Sequence, residues 1–255
     1  MKTLKLKEGI IYGPINSRRL GSSLGINLLA TKYKLCTFNC LYCHYGWTKV
    51  HTVDVTAHMS DFPSTQKVKE ALESWFETNR NPVDYITFSG NGEPCLHPDF
   101  DKMVGVARQA KEKYTPGAKL AILSNSTCLD NPRVLSGLSK LDVRIMKLDC
   151  GTEAIFRKLN RPHSQVRFEK VAESLKKVED IIIQSLFVEG GVDNTEEREV
   201  DEWIRRIKYI KPMEVQIYSI DRPTADSGLT LVTKDKLNQI AKKAQEVTGI
   251  SVKVF

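Results

Sequence analysis

Short β-rich runs alternate with longer stretches of helical periodicity along most of this chain. Six of the runs are apolar enough to be buried on both faces, as the strands of a parallel sheet are: 25–29, 84–89, 119–124, 143–148, 181–188 and 214–220. Helical patterns fill the intervals, which is the order of repeated βα units. Six units are too few to close the usual eight-stranded barrel. The sequence therefore predicts an α/β fold, a partial (β/α)6 barrel with a parallel sheet inside and helices outside.

Capping signals indicate where the predicted helices begin and end. Three stretches open on residue types that cap helix N-termini: 64–79 at Ser64, 99–113 at Asp99, and 194–209 at Asn194, where Glu197 completes a capping box. A fourth helix at 233–248 should stop before Gly249, and the alternating residues 251–255 are expected at a sheet edge. We expect a single domain, 1–255, in which residues 1–24 are an N-terminal extension leading into the first strand.

Composition indicates the compartment in which the cysteines act. Hydrophobic residues make up 41% of the chain, and no stretch approaches the about 20 apolar residues of a membrane span. The N-terminal segment is basic but lacks an apolar core and a cleavage site of small residues, so it does not resemble a secretory signal. We therefore expect a soluble cytoplasmic protein with no membrane partner. In that compartment the six cysteines are more often metal ligands or catalytic groups than disulfides.

The formal net charge of +7 bears on possible partners. Clustered Lys and Arg would favour a polyanion such as RNA, because binding releases counterions. Here, however, basic pairs such as Arg205 and Arg206 lie near acids such as Glu202, which is typical of solvated helix faces. Charge alone leaves a small-molecule substrate and an RNA substrate both open.

Three thiols lie within eight residues, in the segment Cys36-Thr-Phe-Asn-Cys40-Leu-Tyr-Cys43-His44. A disulfide would leave an odd thiol, and structural zinc would need a fourth ligand, for which only the adjacent His44 is near. Covalent haem attachment would leave Cys36 unused and usually belongs to exported proteins. The remaining interpretation is an iron–sulfur cluster. The spacing differs from both ferredoxin spacings and leaves one iron without a protein ligand.

Two motifs carry a resemblance to the radical S-adenosylmethionine (radical SAM) superfamily. The spacing Cys-x3-Cys-x2-Cys, with Tyr42 before the third cysteine, resembles its hallmark, and Ser89-Gly-Asn-Gly-Glu-Pro94 resembles its Gly-Gly-Glu-Pro motif with Asn91 in place of the first glycine. Segments 12–27, 123–127, 147–149, 160–162 and 216–223 are similar to the branch related to wyosine-type tRNA-modifying synthetases. The resemblance covers nearly the whole chain and constrains the substrate weakly.

This resemblance implies a 4Fe–4S cluster that cleaves S-adenosylmethionine and starts hydrogen abstraction from a substrate. Cys36, Cys40 and Cys43 would be the catalytic ligands, and Glu93 would accept the methionyl ammonium beside backbone groups of Asn91 and Gly92. The cofactor-binding residues implied are Tyr42, Asn91, Gly92, Glu93, Ser124, Asn125, Lys147, Asp149, Gln184 and Tyr218. Several of them also have a plain interpretation as turn residues or satisfied polar groups of the core. A donor such as flavodoxin or ferredoxin would supply the electron.

Three further cysteines, Cys95, Cys128 and Cys150, follow three successive predicted strands. Neighbouring parallel strands lie about 4.8 Å apart, so these thiols are candidate ligands of a second iron–sulfur cluster. A thiol that returns a hydrogen atom to a product radical, or three small buried side chains, would explain them as well.

Three classes of function follow. The first is an enzyme that acts on a nucleoside, a tRNA or a small metabolite, and the sequence favours it. The second is an activase that installs a radical on a partner protein. The third is a non-catalytic metal or haem module, which would leave the motif Gly92-Glu93-Pro94 unexplained.

Overall fold

The computed structural model describes residues 3–79 and 81–255. Within them the strands are β1 Ile11–Ser17, β2 Gly21–Ile26, β3 Leu35–Cys36, β4 Val50–His51, β5 Tyr85–Phe88, β6 Lys119–Ser124, β7 Val143–Lys147, β8 Ile181–Leu186, β9 Val188–Gly190, β10 Glu214–Tyr218, β11 Leu229–Leu231 and β12 Val252–Val254. The α-helices are α1 Thr65–Thr78, α2 Phe100–Tyr114, α3 Pro132–Leu138, α4 Glu153–Leu159, α5 Phe168–Lys176, α6 Glu197–Ile210 and α7 Lys234–Thr248. No helix among the described residues has the length and apolar character needed to cross a membrane.

The central sheet has eight strands in the order β1-β2-β5-β6-β7-β8-β10-β12. Every neighbouring pair except β1 with β2 is parallel. At least one helix lies between each parallel strand and the next, as parallel connections require. The predicted α/β fold is therefore confirmed, and its six predicted strands correspond to β2, β5, β6, β7, β8 and β10. The predicted edge strand is β12.

The two faces of the sheet differ in chemistry, because successive side chains of a strand point to opposite sides. One set, including Leu24, Ile86 and Ile122, packs with helix residues in the main hydrophobic core. On the other face of the same strands, the Ser23 and Thr87 hydroxyls are 2.8 Å apart. Apolar burial thus holds the helices to the outside of the sheet and leaves polar groups on its inner face.

Strand β1 is not predicted from the sequence, and it lies in the segment expected to be an extension. This strand pairs antiparallel with β2 and lengthens it, so β2 begins at Gly21 and not at residue 25. The register shifts between Tyr12 and Ile15, around Gly13 and Pro14. Proline lacks a backbone N–H and is tolerated on an edge strand at such an irregularity, although it weakens the strand signal in sequence.

The sheet is curved, and side chains of the turn between β1 and β2 contact side chains at the end of β10. In the turn between β1 and β2, Arg18 forms an ion pair of 2.5 Å with Asp221, which follows β10. The neighbouring Arg19 guanidinium lies 4.4 Å from the centroid of the Tyr218 ring. Since β1 and β12 are both sheet edges, the barrel is open between them, as six βα units predict.

Two helix boundaries follow the sequence signals closely. The Ser64 side chain accepts a hydrogen bond of 3.3 Å from the backbone N–H of Lys67 at the start of α1. At the end of α7, Gly249 adopts the left-handed conformation with φ of 71°, which glycine enters without a steric penalty. Asp99 makes no such side-chain bond, and α2 begins at Phe100.

The capping box predicted at Asn194 is wrong. Helix α6 begins at Glu197, and its N-cap residue makes no side-chain cap. The Asn194 amide is instead used in tertiary contacts: it donates to the carbonyls of Asp149 and Leu186 at 2.7 and 2.8 Å and accepts from the Val188 N–H at 2.8 Å. The last bond also explains why β8 ends at Leu186, earlier than the predicted run.

Candidate active site

The three clustered cysteines face one cavity. This cavity, of about 100 Å³, is lined by Cys36, Phe38, Cys40, Tyr42, Cys43 and Tyr45 from the loop, and by Lys34, Gly90, Gly92 and Asn125 around it. Burial raises the pKa of the Cys36 thiol to about 11 and that of Cys40 to about 12, with Lys34 acting in the opposite direction. Iron binding therefore has to release protons that burial retains on these thiols.

Backbone hydrogen bonds fix the cysteine loop against the end of α4. The Leu41 N–H donates to the Leu159 carbonyl at 3.0 Å, and the Asn39 N–H donates to that of Asn160 at 3.1 Å. Within the loop, the Thr48 N–H donates to the Asn39 side chain at 2.7 Å. These bonds pre-position the thiols, so little ordering entropy remains to be lost when a ligand binds.

A side-chain nitrogen lies beside each of the three thiols. The Asn125 amide donates to the Cys36 sulfur at 3.5 Å, and the Asn160 amide donates to the Cys40 sulfur at 3.7 Å. The Lys34 ammonium lines the same cavity; burial lowers its pKa, but the thiols, Cys43 first, outweigh this and the net shift is upward. Lys34 and Asn160 are not predicted as site residues from the sequence, where the only signal is that Asn160 opens the motif segment 160–162.

The glycine motif after β5 adjoins the start of the cysteine loop. The Leu35 N–H donates to the Asn91 carbonyl at 3.0 Å, and the Glu93 N–H donates to the Leu35 carbonyl at 3.3 Å. Between them, Gly92 has φ of 146°, and a Cβ there would lie 1.7 Å from the Leu35 carbonyl oxygen. Only glycine fits this close approach. Gly92 lies at the wall of the cysteine cavity, and its contact with a cofactor stays a prediction.

Asn91 is not among the residues that line that cavity, and the predicted contact of its backbone with a cofactor stays a prediction. Its side chain is fully buried, accepts from the Lys7 N–H at 2.8 Å, and donates to the Lys7 and Ala30 carbonyls. Its own N–H donates to the Asn27 side chain at 3.1 Å. Asn91 therefore ties the N-terminal segment to the motif. Its φ is not positive, which is why a non-glycine residue is tolerated here.

Glu93 accepts hydrogen bonds from the protein itself, and its predicted role as the acceptor of the methionyl ammonium stays a prediction. One carboxylate oxygen accepts from the Cys95 N–H at 3.0 Å and the Ser124 hydroxyl at 2.9 Å, and the other accepts from the Asn125 N–H at 2.6 Å. Glu93 is 1% exposed and Ser124 is 2% exposed. Glu93 and Ser124 join the ends of β5 and β6 and thereby position Asn125 at the cavity.

We expect Glu93→Ala to destabilise the fold, because three buried donors lose their acceptor. Each buried donor left unpaired costs about 1–3 kcal/mol, and the loss should appear as a lower urea midpoint. Glu112→Ala is the matched control, because that glutamate is exposed and should change stability by less than about 0.5 kcal/mol. Unchanged stability with a lost affinity for S-adenosylmethionine would instead support the ammonium-binding role.

A buried polar network lies on the inner face beside the cysteine loop. The Lys147 ammonium is 2.7 Å from the Asp149 carboxylate and donates to the Tyr218 hydroxyl at 3.0 Å. The Asp149 carboxylate also accepts from the Asn160 amide at 2.8 Å and from the Tyr42 hydroxyl. The structure thus brings together Tyr42, Lys147, Asp149 and Tyr218, and period-two alternation correctly predicts that Lys147 and Asp149 share a side.

The contacts with Asp149 determine the protonation states of Lys147 and Tyr42. Burial lowers the pKa of Lys147, but the Asp149 carboxylate and the Tyr218 hydroxyl outweigh it, and the net shift is upward. Burial and the Asp149 carboxylate hold the pKa of Tyr42 well above its ordinary value. Lys147 therefore stays an ammonium, while Tyr42 stays a neutral donor to the carboxylate.

Two more residues belong to the inner wall. Gln184 donates to the Gln216 side chain at 3.3 Å, so its predicted place on the inner face is found, with a neighbour as its partner. Arg19 covers the Tyr218 ring, and its Nη1 is buried without a hydrogen-bond partner. Arg19 is not predicted from the sequence, although it belongs to the motif segment 12–27.

The donor set fits a cluster and not a single ion. Within residues 3–79 and 81–255, no three His, Cys, Asp or Glu side chains converge closely enough to hold one metal ion. Cys36, Cys40 and Cys43 nevertheless line one cavity. A tetrahedral zinc site needs its ligands around one point, whereas a cluster takes each thiolate on a different iron.

Comparison with known proteins identifies the family. Residues 31–207 match the sequence profile of the Radical SAM superfamily. The chain belongs to this superfamily of enzymes. Solved structures share its fold: a radical SAM methyltransferase from Sphaerobacter thermophilus has a TM-score of 0.63 and 13% identity, over 91% of this chain and 65% of that one. TYW1 with a lysine-pyruvate adduct bound has a TM-score of 0.57 and 13% identity, over 89% and 75%.

Curated relatives are similar over most of this radical SAM chain. A UPF0026 protein of Methanocaldococcus jannaschii is 28% identical over 94% of this chain and 72% of its own length. A protein named GTPase Obg from Brachyspira hyodysenteriae is 27% identical over 98% of this chain. The chain spans 35% of the length of that relative. The superfamily is established by the profile match over residues 31–207, and TYW1 is one of several structural neighbours.

The other three cysteines are not gathered as the radical SAM cysteines are. Cys95 and Cys128 line a second cavity, of about 520 Å³, whereas Cys150 does not. The Cys150 thiol donates to the Asn160 amide oxygen at 3.9 Å, and the nearest thiol affecting it is Cys40. The structure does not show a second cluster on these residues, and the second cluster stays a prediction.

Proposed function

We propose that this radical SAM protein holds one 4Fe–4S cluster through Cys36, Cys40 and Cys43 and cleaves S-adenosylmethionine to start hydrogen abstraction from an organic substrate. The observation that carries the proposal is the single cavity shared by the three thiols, Gly92 and Asn125. When bound, the cluster supplies one electron to the sulfonium, which yields methionine and a 5′-deoxyadenosyl radical. All other roles belong to residues of this chain.

In this proposal, the residues around the cavity bind the cofactor and orient it. Gly92 allows the backbone at the cavity wall to pack against the Leu35 carbonyl, and Asn125, positioned by Glu93, offers an amide at the same wall. Tyr42 and Asn160 connect the cysteine loop to Asp149. Because Lys147 and Asp149 are paired and buried, they form a rigid polar wall that suits the sugar or carboxylate of a cofactor.

We infer that the substrate is a small polar molecule or a nucleoside, which binds against this inner face. The inner face carries Ser23, Thr87, Gln184 and Gln216 in hydrogen-bonded pairs, which favours polar ligands over apolar ones. The structurally similar TYW1 was solved with a lysine-pyruvate adduct bound. Lys147 does not favour formation of a covalent adduct in this chain, because an ammonium paired with the Asp149 carboxylate is not a nucleophile.

The test is anaerobic reconstitution with iron and sulfide, followed by addition of S-adenosylmethionine and dithionite. We expect 5′-deoxyadenosine and methionine in equal amounts, measured by liquid chromatography and mass spectrometry. Addition of total tRNA, or of a metabolite extract, should raise the yield if it contains the substrate. A folded protein that carries its iron and releases no 5′-deoxyadenosine would contradict the proposal, and activation of a partner protein alone would favour the activase alternative.

A further inference from the structure

Lys34 is a buried cation in the cavity of the three thiols. The residue is 4% exposed, and its ammonium donates to the Gly46 carbonyl at 2.9 Å. Lys34 lines the same cavity as Cys36, Cys40 and Cys43. Buried lysines are almost always paired with an opposite charge. The thiolate set that would ligate the cluster provides such a counter-charge within the cavity.

The charge of that set changes during the proposed function. A 4Fe–4S core of charge 2+ with three thiolates carries a net charge of −1. One electron from an external donor, a low-potential flavoprotein, a ferredoxin or dithionite, reduces the core to 1+ and makes the net charge −2. A fixed positive charge in a low-dielectric cavity stabilises the more negative state more strongly.

We propose that Lys34 sets the reduction potential of the cluster, with its ammonium favouring the one-electron-reduced form. The inference rests on the proposed function, because it requires the cluster on Cys36, Cys40 and Cys43. The amides of Asn125 and Asn160 act in the same direction through hydrogen bonds to the Cys36 and Cys40 sulfurs. Hydrogen bonds to the sulfurs and local charge are the protein's means of tuning such a cluster. Lys34 is a positioning residue, because it acts through the thiolate ligands with which it shares the cavity and not on a substrate.

Two substitutions separate the charge of Lys34 from its hydrogen bond. Lys34→Gln keeps a donor for the Gly46 carbonyl and removes the charge, whereas Lys34→Arg keeps both. Lys7→Gln is the matched control, because the Lys7 ammonium lies 6.0 Å from the ring of Tyr45, which lines the same cavity, while Lys7 itself is not among the lining residues. The control therefore removes an equal charge from the same side of the protein.

The measurement is a redox titration of the reconstituted protein without S-adenosylmethionine, followed by the electron paramagnetic resonance signal of the reduced cluster. At a fixed ambient potential, Lys34→Gln should lower the ratio of reduced to oxidised cluster about tenfold, which corresponds to 59 mV for a one-electron couple. Lys34→Arg and Lys7→Gln should stay within about twofold of the wild-type ratio, because neither removes the charge beside the thiols. Iron content should be equal in all four proteins.

Three other outcomes would overturn the inference, and a fourth would contradict the proposed function. A wild-type ratio in Lys34→Gln would overturn the inference, and so would an equal loss in Lys34→Arg, which would show a packing effect. Loss of iron from Lys34→Gln would show that the lysine holds the cluster and does not tune it, which also overturns the inference. If the wild-type protein binds no cluster, that result contradicts the proposed function itself. An error in the role of Lys34 alone would leave cluster binding by the wild-type protein intact.

Discussion

Alanine at Cys36, Cys40 or Cys43 is expected to abolish 5′-deoxyadenosine formation, with a loss of at least about 100-fold, because each change removes one of only three protein ligands of the cluster. The three thiols line one cavity with no spare cysteine among its lining residues. No neighbour can therefore replace a missing ligand. The measurements are iron content, the visible spectrum and product yield after anaerobic reconstitution.

The remaining cysteines provide the matched control. Combined replacement of Cys95, Cys128 and Cys150 by alanine should leave about four irons per chain, the number in one 4Fe–4S cluster. Combined replacement of Cys36, Cys40 and Cys43 should give a colourless, iron-free protein that is still folded by circular dichroism. About four irons retained in the latter variant would restore the second cluster and contradict the separation of Cys150 from Cys95 and Cys128.

Asp149→Ala is expected to destabilise the fold by about 3–5 kcal/mol, the cost of removing one partner of a buried ion pair. The change leaves the Lys147 ammonium buried without its counter-charge. It also removes the acceptor of the Leu186 N–H, at 2.8 Å, and of the Asn160 amide. Urea unfolding of the protein, monitored by circular dichroism, measures the difference.

Two further variants test the cause. The double variant Lys147→Met, Asp149→Leu should recover part of the loss, because replacing a buried pair by apolar residues of similar volume is often neutral. Asp221→Ala should cost less than about 1 kcal/mol, because its ion pair with Arg18 is exposed. A loss below about 1 kcal/mol in Asp149→Ala would mean that the network is not stabilising.

The fold class is predictable here because it depends on periodicity, which is a local property of the chain. The predicted run 119–124 is the strand Lys119–Ser124, and Ser64 and Gly249 flank their helices as expected. The prediction fails where a side chain forms a hydrogen bond with a residue that is distant in sequence. Asn194 has the sequence signature of a cap, but it bonds Asp149 across 45 positions of sequence, and no local pattern reports such a contact.

The same division applies to the site. The spacing of Cys36, Cys40 and Cys43 determines by itself that the chain can hold a cluster with an open iron, because three ligands on one short loop need no tertiary context. Only the tertiary structure decides which polar residues remain free to act. The Glu93 carboxylate and the Asn91 side chain form hydrogen bonds inside the protein. Asn160, 120 positions from Cys40, reaches a ligand sulfur. Whether a polar group is satisfied depends on partners brought together by the folded core, and spacing along the chain carries no information about them.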